Sequence, residues 1–208
     1  MQFDINPNEY FINPTPSSTW DYHYTKNSAF SNDELQKVED IVKGKSFKKG
    51  LTIGQNENDD DEIIKKSNYR KVIYINPNDD NRWLFTKLIT LALEANISSY
   101  NFDIQTITDP LHYVVYPEDG GHLNWHMDVG TGKVNQRKLA LTVQLSNPNE
   151  YEGGNFQIWG GGKDQFLNLT KNKGDVIIFP SFLMHRVTPI TKGKRKALVF
   201  WVGGTPFK

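Results

Sequence analysis

The chain has 208 residues and a mass of 23.9 kDa, enough for one domain with a sizeable core and too few for two full ones. Lys plus Arg and Asp plus Glu both number 24, so the formal net charge is zero and the basic footprint of a nucleic-acid binder is missing, although a local basic strip stays open. Mean hydropathy is −0.59 and the apolar runs are short, so no segment offers the roughly 20 apolar residues of a membrane span. The first residues, MQFDINPNEY, carry neither a basic-then-apolar signal nor an Arg-rich transit helix. The expectation is therefore a cytoplasmic protein with neither nucleic-acid nor membrane partners and an open oligomeric state. With no cysteine, disulfides, thiolate metal sites, iron–sulfur clusters and a Cys nucleophile are excluded together. Any metal has to be held by His, Asp or Glu.

Residues 1–28, with Pro7, Pro14 and Pro16, have no periodicity and predict an irregular lead-in that packs through Tyr10, Phe11 and Trp20. Ser31 and Glu34 have capping-box spacing, and Phe30 with Leu35 has hydrophobic-staple spacing. A helix to about Lys43 follows, with Leu35, Val38, Ile41 and Val42 on one stripe and Gly44 as its stop. The run QNENDDDE at 55–62 has no apolar residue and predicts a solvated loop. Tyr69 to Ile75 reads as a strand. Asn81 to Ala95 reads as a second helix, with Leu84, Leu88, Leu91, Ala92 and Ala95 at helical spacing and Asn96 closing it.

After residue 100 the period changes to two. Short strands are expected at 112–117, 122–128, 138–145, 154–159, 165–169, 174–179, 184–190 and 195–202. So many short strands with Gly, Pro and Asn turns indicate a β-sandwich or jelly roll rather than βα units. The expected organisation is one mainly β domain over 1–208, a helical support region (1–110) leading into a double-stranded β-helix, or jelly-roll, core (111–204).

Four of the five histidines, His112, His122, His126 and His185, fall in that β-rich half. In His126-Met127-Asp128 the imidazole and carboxylate stand at i and i+2, so on a strand they project from one face toward a common ion. Alone this is weak, because a buried His bonded to an Asp is a common structural pair. Downstream, KGDVIIFPSFLMH delivers a single histidine, His185, after a turn, a buried strand and another turn. In a jelly roll, strands distant in sequence lie side by side, so His185 can complete two histidines and one carboxylate, the facial arrangement of non-haem Fe(II) oxygenases. Arg195 opens a strand on which Ala197, Val199 and Trp201 share its face. If that face is interior, the guanidinium needs an anion, and a dicarboxylate cosubstrate would supply it. Without the metal motif, Arg195 reads more simply as one more member of the solvated run Lys192, Lys194 and Lys196.

The segments HYVVYPEDGGHLNWHMD, RKLALTVQLSNPNEYEGGNFQIW and KGDVIIFPSFLMHRVTPITKGKRKALVFWV span residues 112–202. In order they carry H-x-D, the EGG turn, GD-x-x-x-F-P, H-x-V-x-P and R-x-A-L-x-F-W. This stretch resembles the Fe(II)- and 2-oxoglutarate-dependent dioxygenases, specifically the prolyl 4-hydroxylase branch and its PKHD-type relatives. The N-terminal half resembles them only loosely, in the helix after Phe30 and in KKSNYR. The resemblance implies an oxidoreductase with His126, Asp128 and His185 as iron ligands and Arg195 bonding the distal carboxylate of 2-oxoglutarate. It implies that Tyr116 bonds the same carboxylate, with Tyr113 a rival because the Tyr116–His126 spacing is one residue longer than the family's. Thr142 matches a further position of this kind, or is a strand threonine satisfied by backbone. The implied cofactors are Fe(II), 2-oxoglutarate and O2, with ascorbate in a supporting role. The implied chemistry couples decarboxylation of 2-oxoglutarate to hydroxylation of an unactivated C–H bond, with proline in a peptide or protein as the first substrate.

Alternatives remain. The same chemistry can act on another amino acid or a small metabolite, and a non-catalytic cupin-like metal-binding protein is a reading of another class. A hydrolytic zinc site is disfavoured by Arg195 and by the lack of a general-base glutamate beside the motif. His122 and Asn124 share parity with the motif and fit its mouth or outer surroundings. Trp125, Trp159 and Trp201 read as packing; Arg70 could reach substrate but reads more simply as a surface arginine. Residues 129–136, with Gly130 and Gly132, follow Asp128 directly and are expected to act with the 55–62 loop as a lid, or else as plain surface loops.

Overall fold

A computed structural model describes residues 21–52, 54–162 and 164–207. Tyr10, Phe11 and Trp20 lie outside the described residues. In chain order the first strands are β1 (Tyr24–Lys26), β2 (Lys48–Lys49), β3 (Asn68–Tyr69), β4 (Lys71–Ile75), β5 (Thr106–Ile107), β6 (Leu111–Tyr116) and β7 (His122–His126). They are followed by β8 (Arg137–Gln144), β9 (Tyr151–Gly153), β10 (Phe156–Trp159) and β11 (Phe166–Asn168). The last four are β12 (Val176–Pro180), β13 (His185–Val187), β14 (Ile190–Gly193) and β15 (Arg195–Gly203). The α-helices are α1 (Asn32–Val42), α2 (Asp61–Ser67) and α3 (Arg82–Ala95).

The strands form an eight-stranded sheet in the order β1-β12-β8-β15-β6-β4-β2, with β5 added to β15. A five-stranded sheet in the order β11-β10-β13-β7-β3 lies across it, and β14 with β9 forms a two-stranded ribbon. Pairing is antiparallel throughout, and sequence-distant strands are neighbours, as a jelly roll requires. Alternation gives the large sheet two different buried faces. Leu139, Leu141, Val143, Leu198, Phe200 and Val202 point outward and form one core with α1 and α3. Val114, Tyr116, Ala140, Ile177, Phe179 and Trp201 point inward and form a second core with Phe156, Ile158 and Val187 of the small sheet. Every residue of β8 is buried because both of its faces are covered.

The predicted capping box starts α1: Ser31 Oγ accepts from Glu34 N at 3.2 Å and Glu34 Oε2 accepts from Ser31 N at 2.8 Å. Leu35, Val38 and Val42 are buried on its stripe, and Gly44 (φ +76) turns the chain away after it. Five expectations differ from the structure. The lead-in is not irregular to residue 28, because Tyr24–Lys26 pairs with Val176–Ile178. The acidic loop does not run to 62: Asp60 caps α2 by accepting from Glu62 N at 2.7 Å. The strand expected over 69–75 breaks at Arg70, where the chain leaves the small sheet as β3 and enters the large sheet as β4. Asn96 does not close α3; its side chain bonds Phe102 N and O at 2.8 Å each, and Asn96–Tyr100 continue as a π-turn to left-handed Asn101. Strand 184–190 is likewise two strands, β13 and β14. Among the described residues no helix is long and apolar enough to cross a membrane.

Candidate metal centre

The small sheet brings the two histidines together directly, since His185 on β13 is the register partner of His126 at the end of β7. Their ring centroids are 4.1 Å apart. Two residues on, the backbone N–H of Asp128 donates to the Ser181 carbonyl at 2.8 Å, which fastens the carboxylate-bearing turn to the loop after β12. His126 Nδ1 lies 2.8 Å from the Asn124 carbonyl, and His185 Nδ1 lies 2.8 Å from the Leu183 carbonyl. A carbonyl only accepts, so each Nδ1 carries its proton and each bare Nε2 is turned inward. These Nε2 atoms stand 3.6 and 3.5 Å from the two Asp128 oxygens, and the three donor groups lie within 4.8 Å of one another.

The electrostatics keep His185 and Asp128 in ligand form. Burial, with His126 beside it, pushes His185 down to about 4, so its imidazole is neutral at ordinary pH. Burial alone would raise Asp128, but His185 and His126 outweigh it and hold the carboxyl well below the usual carboxylate range. Two imidazoles and one carboxylate are the donor set for a divalent metal with open coordination positions.

A cavity of about 350 Å³ extends from this cluster between the sheets. Arg195, Tyr116, Thr142, Val199 and Trp201 line it from the large sheet. Arg195 is 1% exposed and is the register partner of Tyr116, whose ring lies 5.1 Å from its guanidinium carbon. Its Nη2 donates to Gln144 Oε1 at 3.0 Å, but its buried Nε has no partner, and among the described residues no carboxylate lies within ion-pair distance of it. It is therefore not part of a solvated lysine run. The EGG turn packs against it: at Gly153 (φ +75) a Cβ would stand 2.1 Å from the Pro189 carbonyl, and at Gly154 one would meet Ile190 at 2.4 Å and the Arg195 side chain at 3.2 Å. Tyr113 points the other way, three residues and hence one face from Tyr116, and donates its hydroxyl to Glu39 on α1. It does not line the cavity.

Sequence reasoning passed over three residues here, Gln144, Tyr151 and Arg137, and placed a fourth, Arg70, at the surface. Gln144 shares the Thr142 face and orients Arg195. Tyr151 interacts with Arg195, and its buried hydroxyl has no hydrogen-bond partner; its signal was its place in the EGG turn. Arg137 makes two bonds to Asp109, at 2.8 and 2.7 Å, donates Nη1 to the Asp128 carbonyl at 3.1 Å and lies 4.0 Å over the Trp201 ring. It braces the turn that carries the carboxylate. Arg70 is no surface arginine: it lines the cavity, donates Nη2 to the Leu51 carbonyl at 2.8 Å, and leaves Nη1 buried without a partner.

Asn124 lines the cavity mouth with its amide donated to the Lys66 carbonyl at 2.8 Å, whereas His122 turns to the Gly120 carbonyl. Trp159 is exposed at the surface, Trp125 stacks with Arg186, and Trp201 forms cavity wall with an unpartnered indole N–H. Residues 132–136 form a short 3₁₀ turn, and Val134 on it borders the cavity together with Leu51 and Thr52.

The family model of the 2OG-Fe(II) oxygenase superfamily matches residues 111–203. A PKHD-type hydroxylase of Acidovorax ebreus is 33% identical over 108 residues, 46% of this chain and 47% of the relative. One from Synechococcus sp. (strain CC9605) is 29% identical over 143 residues, 69% of this chain and 62% of the relative. The chain thus spans about half to three fifths of these relatives. The fold is similar to that of a Trichoplax adhaerens prolyl hydroxylase solved in complex with a hypoxia inducible factor oxygen degradation domain peptide. The TM-score is 0.70 at 16% identity, covering 88% of this chain and 83% of that one. The stretch that is similar to the 2OG-Fe(II) oxygenase superfamily, residues 111–203, holds His126, Asp128, His185 and Arg195 and most of the residues that line the cavity.

Proposed function

We propose that the protein is an Fe(II)- and 2-oxoglutarate-dependent dioxygenase that hydroxylates an unactivated C–H bond, with a prolyl residue of a peptide or protein as substrate and the cytoplasm as its place of work. The observation that carries this reading is the pairing, in one cavity, of a two-histidine, one-carboxylate cluster with a buried arginine that has no carboxylate partner among the described residues. His126, Asp128 and His185 would hold the iron, and Arg195 would take the distal carboxylate of 2-oxoglutarate through the buried Nε that now lacks a partner. Tyr116 and Thr142 line the same wall, and Tyr113 is not part of the proposal.

When bound, iron with 2-oxoglutarate and O2 supplies the oxidising power for C–H hydroxylation. The chain's own residues fix geometry. The Asn124 and Leu183 carbonyls lock the imidazole tautomers, Ser181 and Arg137 hold the Asp128 turn, and Gln144 sets the Arg195 plane. Phe156, Phe179 and Val187 border the metal cluster and keep water from it. Proline as the target rests on the likeness to PKHD-type hydroxylases and to a prolyl hydroxylase fold. The test is incubation with Fe(II), 2-oxoglutarate, ascorbate and a library of proline-containing peptides, read by mass spectrometry. A gain of one oxygen on proline is expected; oxygen gained only by free amino acids or small metabolites would move the substrate class, and 2-oxoglutarate left intact with every candidate would favour a binding protein.

A further inference from the structure

Three arginines line the cavity, Arg70, Arg137 and Arg195. Asp109 neutralises Arg137. Arg70 and Arg195 have no carboxylate at ion-pair distance among the described residues, and the remaining cavity carboxylate is Asp128, within the metal cluster. Two cations thus face one carboxylate. A divalent metal and dianionic 2-oxoglutarate cancel each other's charge, so the loaded cavity keeps one positive charge in excess. Arg195 accounts for one carboxylate of the cosubstrate; Arg70 has none. A desolvated guanidinium without an anion is costly, because water no longer screens it and nothing replaces the lost hydration.

The fold nevertheless builds Arg70 in. It sits where the chain passes from β3 in the small sheet to β4 in the large one, so strand pairing fixes its backbone on both sides. Gly50 donates its N–H to the Arg70 carbonyl at 2.9 Å, and a Cβ at Gly50 would stand 2.4 Å from Arg70 Cγ, so the absent side chain makes the groove in which the arginine lies. Leu51 O holds Nη2, and Nη1 is left sealed from solvent with no acceptor among the described residues. Pinning one arm of the fork by a carbonyl while the other stays open presents a preorganised donor to an incoming oxygen anion.

Resting on the oxygenase reading above, we propose that Arg70 is the substrate-anchoring residue and that the substrate carries a carboxylate, which the open guanidinium arm receives. That carboxylate can belong to a small acid or to an acidic peptide. A second cavity of about 280 Å³, lined by Phe47, Lys49, Lys65 and Tyr69, abuts Arg70 and has room for a longer chain.

The test is calorimetric titration of the Zn(II)- and 2-oxoglutarate-saturated protein with acetate. Parent affinity for Zn(II) and 2-oxoglutarate is read first and tests the oxygenase reading separately. The expected result is one saturable acetate site per chain, weakened at least tenfold in Arg70→Gln while 2-oxoglutarate affinity stays within threefold. Arg70→Lys, which keeps the charge without the fork, should fall between, and it serves if the Gln variant does not fold. Competition by N-acetylglycine, or by a hexapeptide with blocked ends and one Glu, then identifies the carboxylate's source. No saturable acetate site, an affinity unchanged in both variants, or loss of 2-oxoglutarate affinity in place of acetate affinity would overturn the proposal.

Discussion

The eight-stranded sheet turns two buried faces to the protein, and the same strands supply both. Toward α1 and α3 it presents Leu139, Leu141, Val143, Leu198, Phe200 and Val202, all but inaccessible and apolar. Toward the small sheet it presents Thr142, Gln144 and Arg195 among Ala140, Trp201 and half-buried Val199, a face that is polar in part. The outer face removes apolar area from water, at about 25 cal/mol per Å², and is what holds the helices to the sheet. The inner face carries a guanidinium with an unpartnered Nε and an indole N–H with no acceptor, features that cost stability. Burial alone therefore does not identify a core. Residues that break the rules of core packing mark the face whose arrangement serves binding.

Substitutions on the two faces should separate stability from ligand binding. The largest effect is expected for His185→Ala, which should lower Fe(II) or Mn(II) affinity by more than about 100-fold in a metal titration, since loss of an outer partner alone costs 10–100-fold, while the thermal transition of the apo protein is kept. Next, Phe200→Ala on the helix-facing side should cost about 3–5 kcal/mol in denaturant unfolding and leave metal and 2-oxoglutarate affinities unchanged. A ligand-binding loss in that variant would show that the faces are not separable. Arg195→Ala should weaken 2-oxoglutarate by about 3 kcal/mol, roughly a hundredfold, with metal affinity intact. A smaller loss, about fivefold in 2-oxoglutarate affinity, is expected for Tyr151→Phe, which removes a buried hydroxyl beside Arg195 worth about 1 kcal/mol once paired.

The smallest effect concerns pH. Burial, then Arg70 and Arg137, push His112 down to about 3, so the folded chain refuses a proton that the unfolded chain takes up near the ordinary histidine value of 6.5. Stability should fall as pH drops from about 6.5 toward 3, with His112 contributing roughly 1 kcal/mol per pH unit. His112→Phe should flatten the apo-protein slope by that amount between pH 6 and 5; an unchanged slope would mean that His112 is not held neutral.

Much of the inner face was legible in the sequence because alternation is a two-residue code. It put His126 beside Asp128, and Arg195 with Val199 and Trp201, and the structure keeps both groupings. The same code separates Tyr116 from Tyr113, which lie three residues apart on opposite faces. What pairing decides was not legible. That His185 lies opposite His126, that Gln144 reaches Arg195, and that Arg137 bonds the Asp128 carbonyl all depend on long-range register and loop geometry. Arg70 was misread as a surface residue because its strand looks continuous in sequence, and only the switch from one sheet to the other at that residue sends its side chain to the cavity. The break at Asn96 has a similar origin: its side chain bonds the backbone of Phe102, and the helix continues as a π-turn in place of stopping.

The central claim, that the inner face serves a 2-oxoglutarate-dependent oxygenase, is tested most directly by succinate formation from 2-oxoglutarate in air, without added substrate, over hours. Parent protein with Fe(II) should release succinate slowly. His185→Ala and Arg195→Ala should release none above the level of free Fe(II), and oxygen-free buffer should stop the reaction. Succinate formation at the free-iron level in the parent, or at the parent level in both variants, would contradict the account.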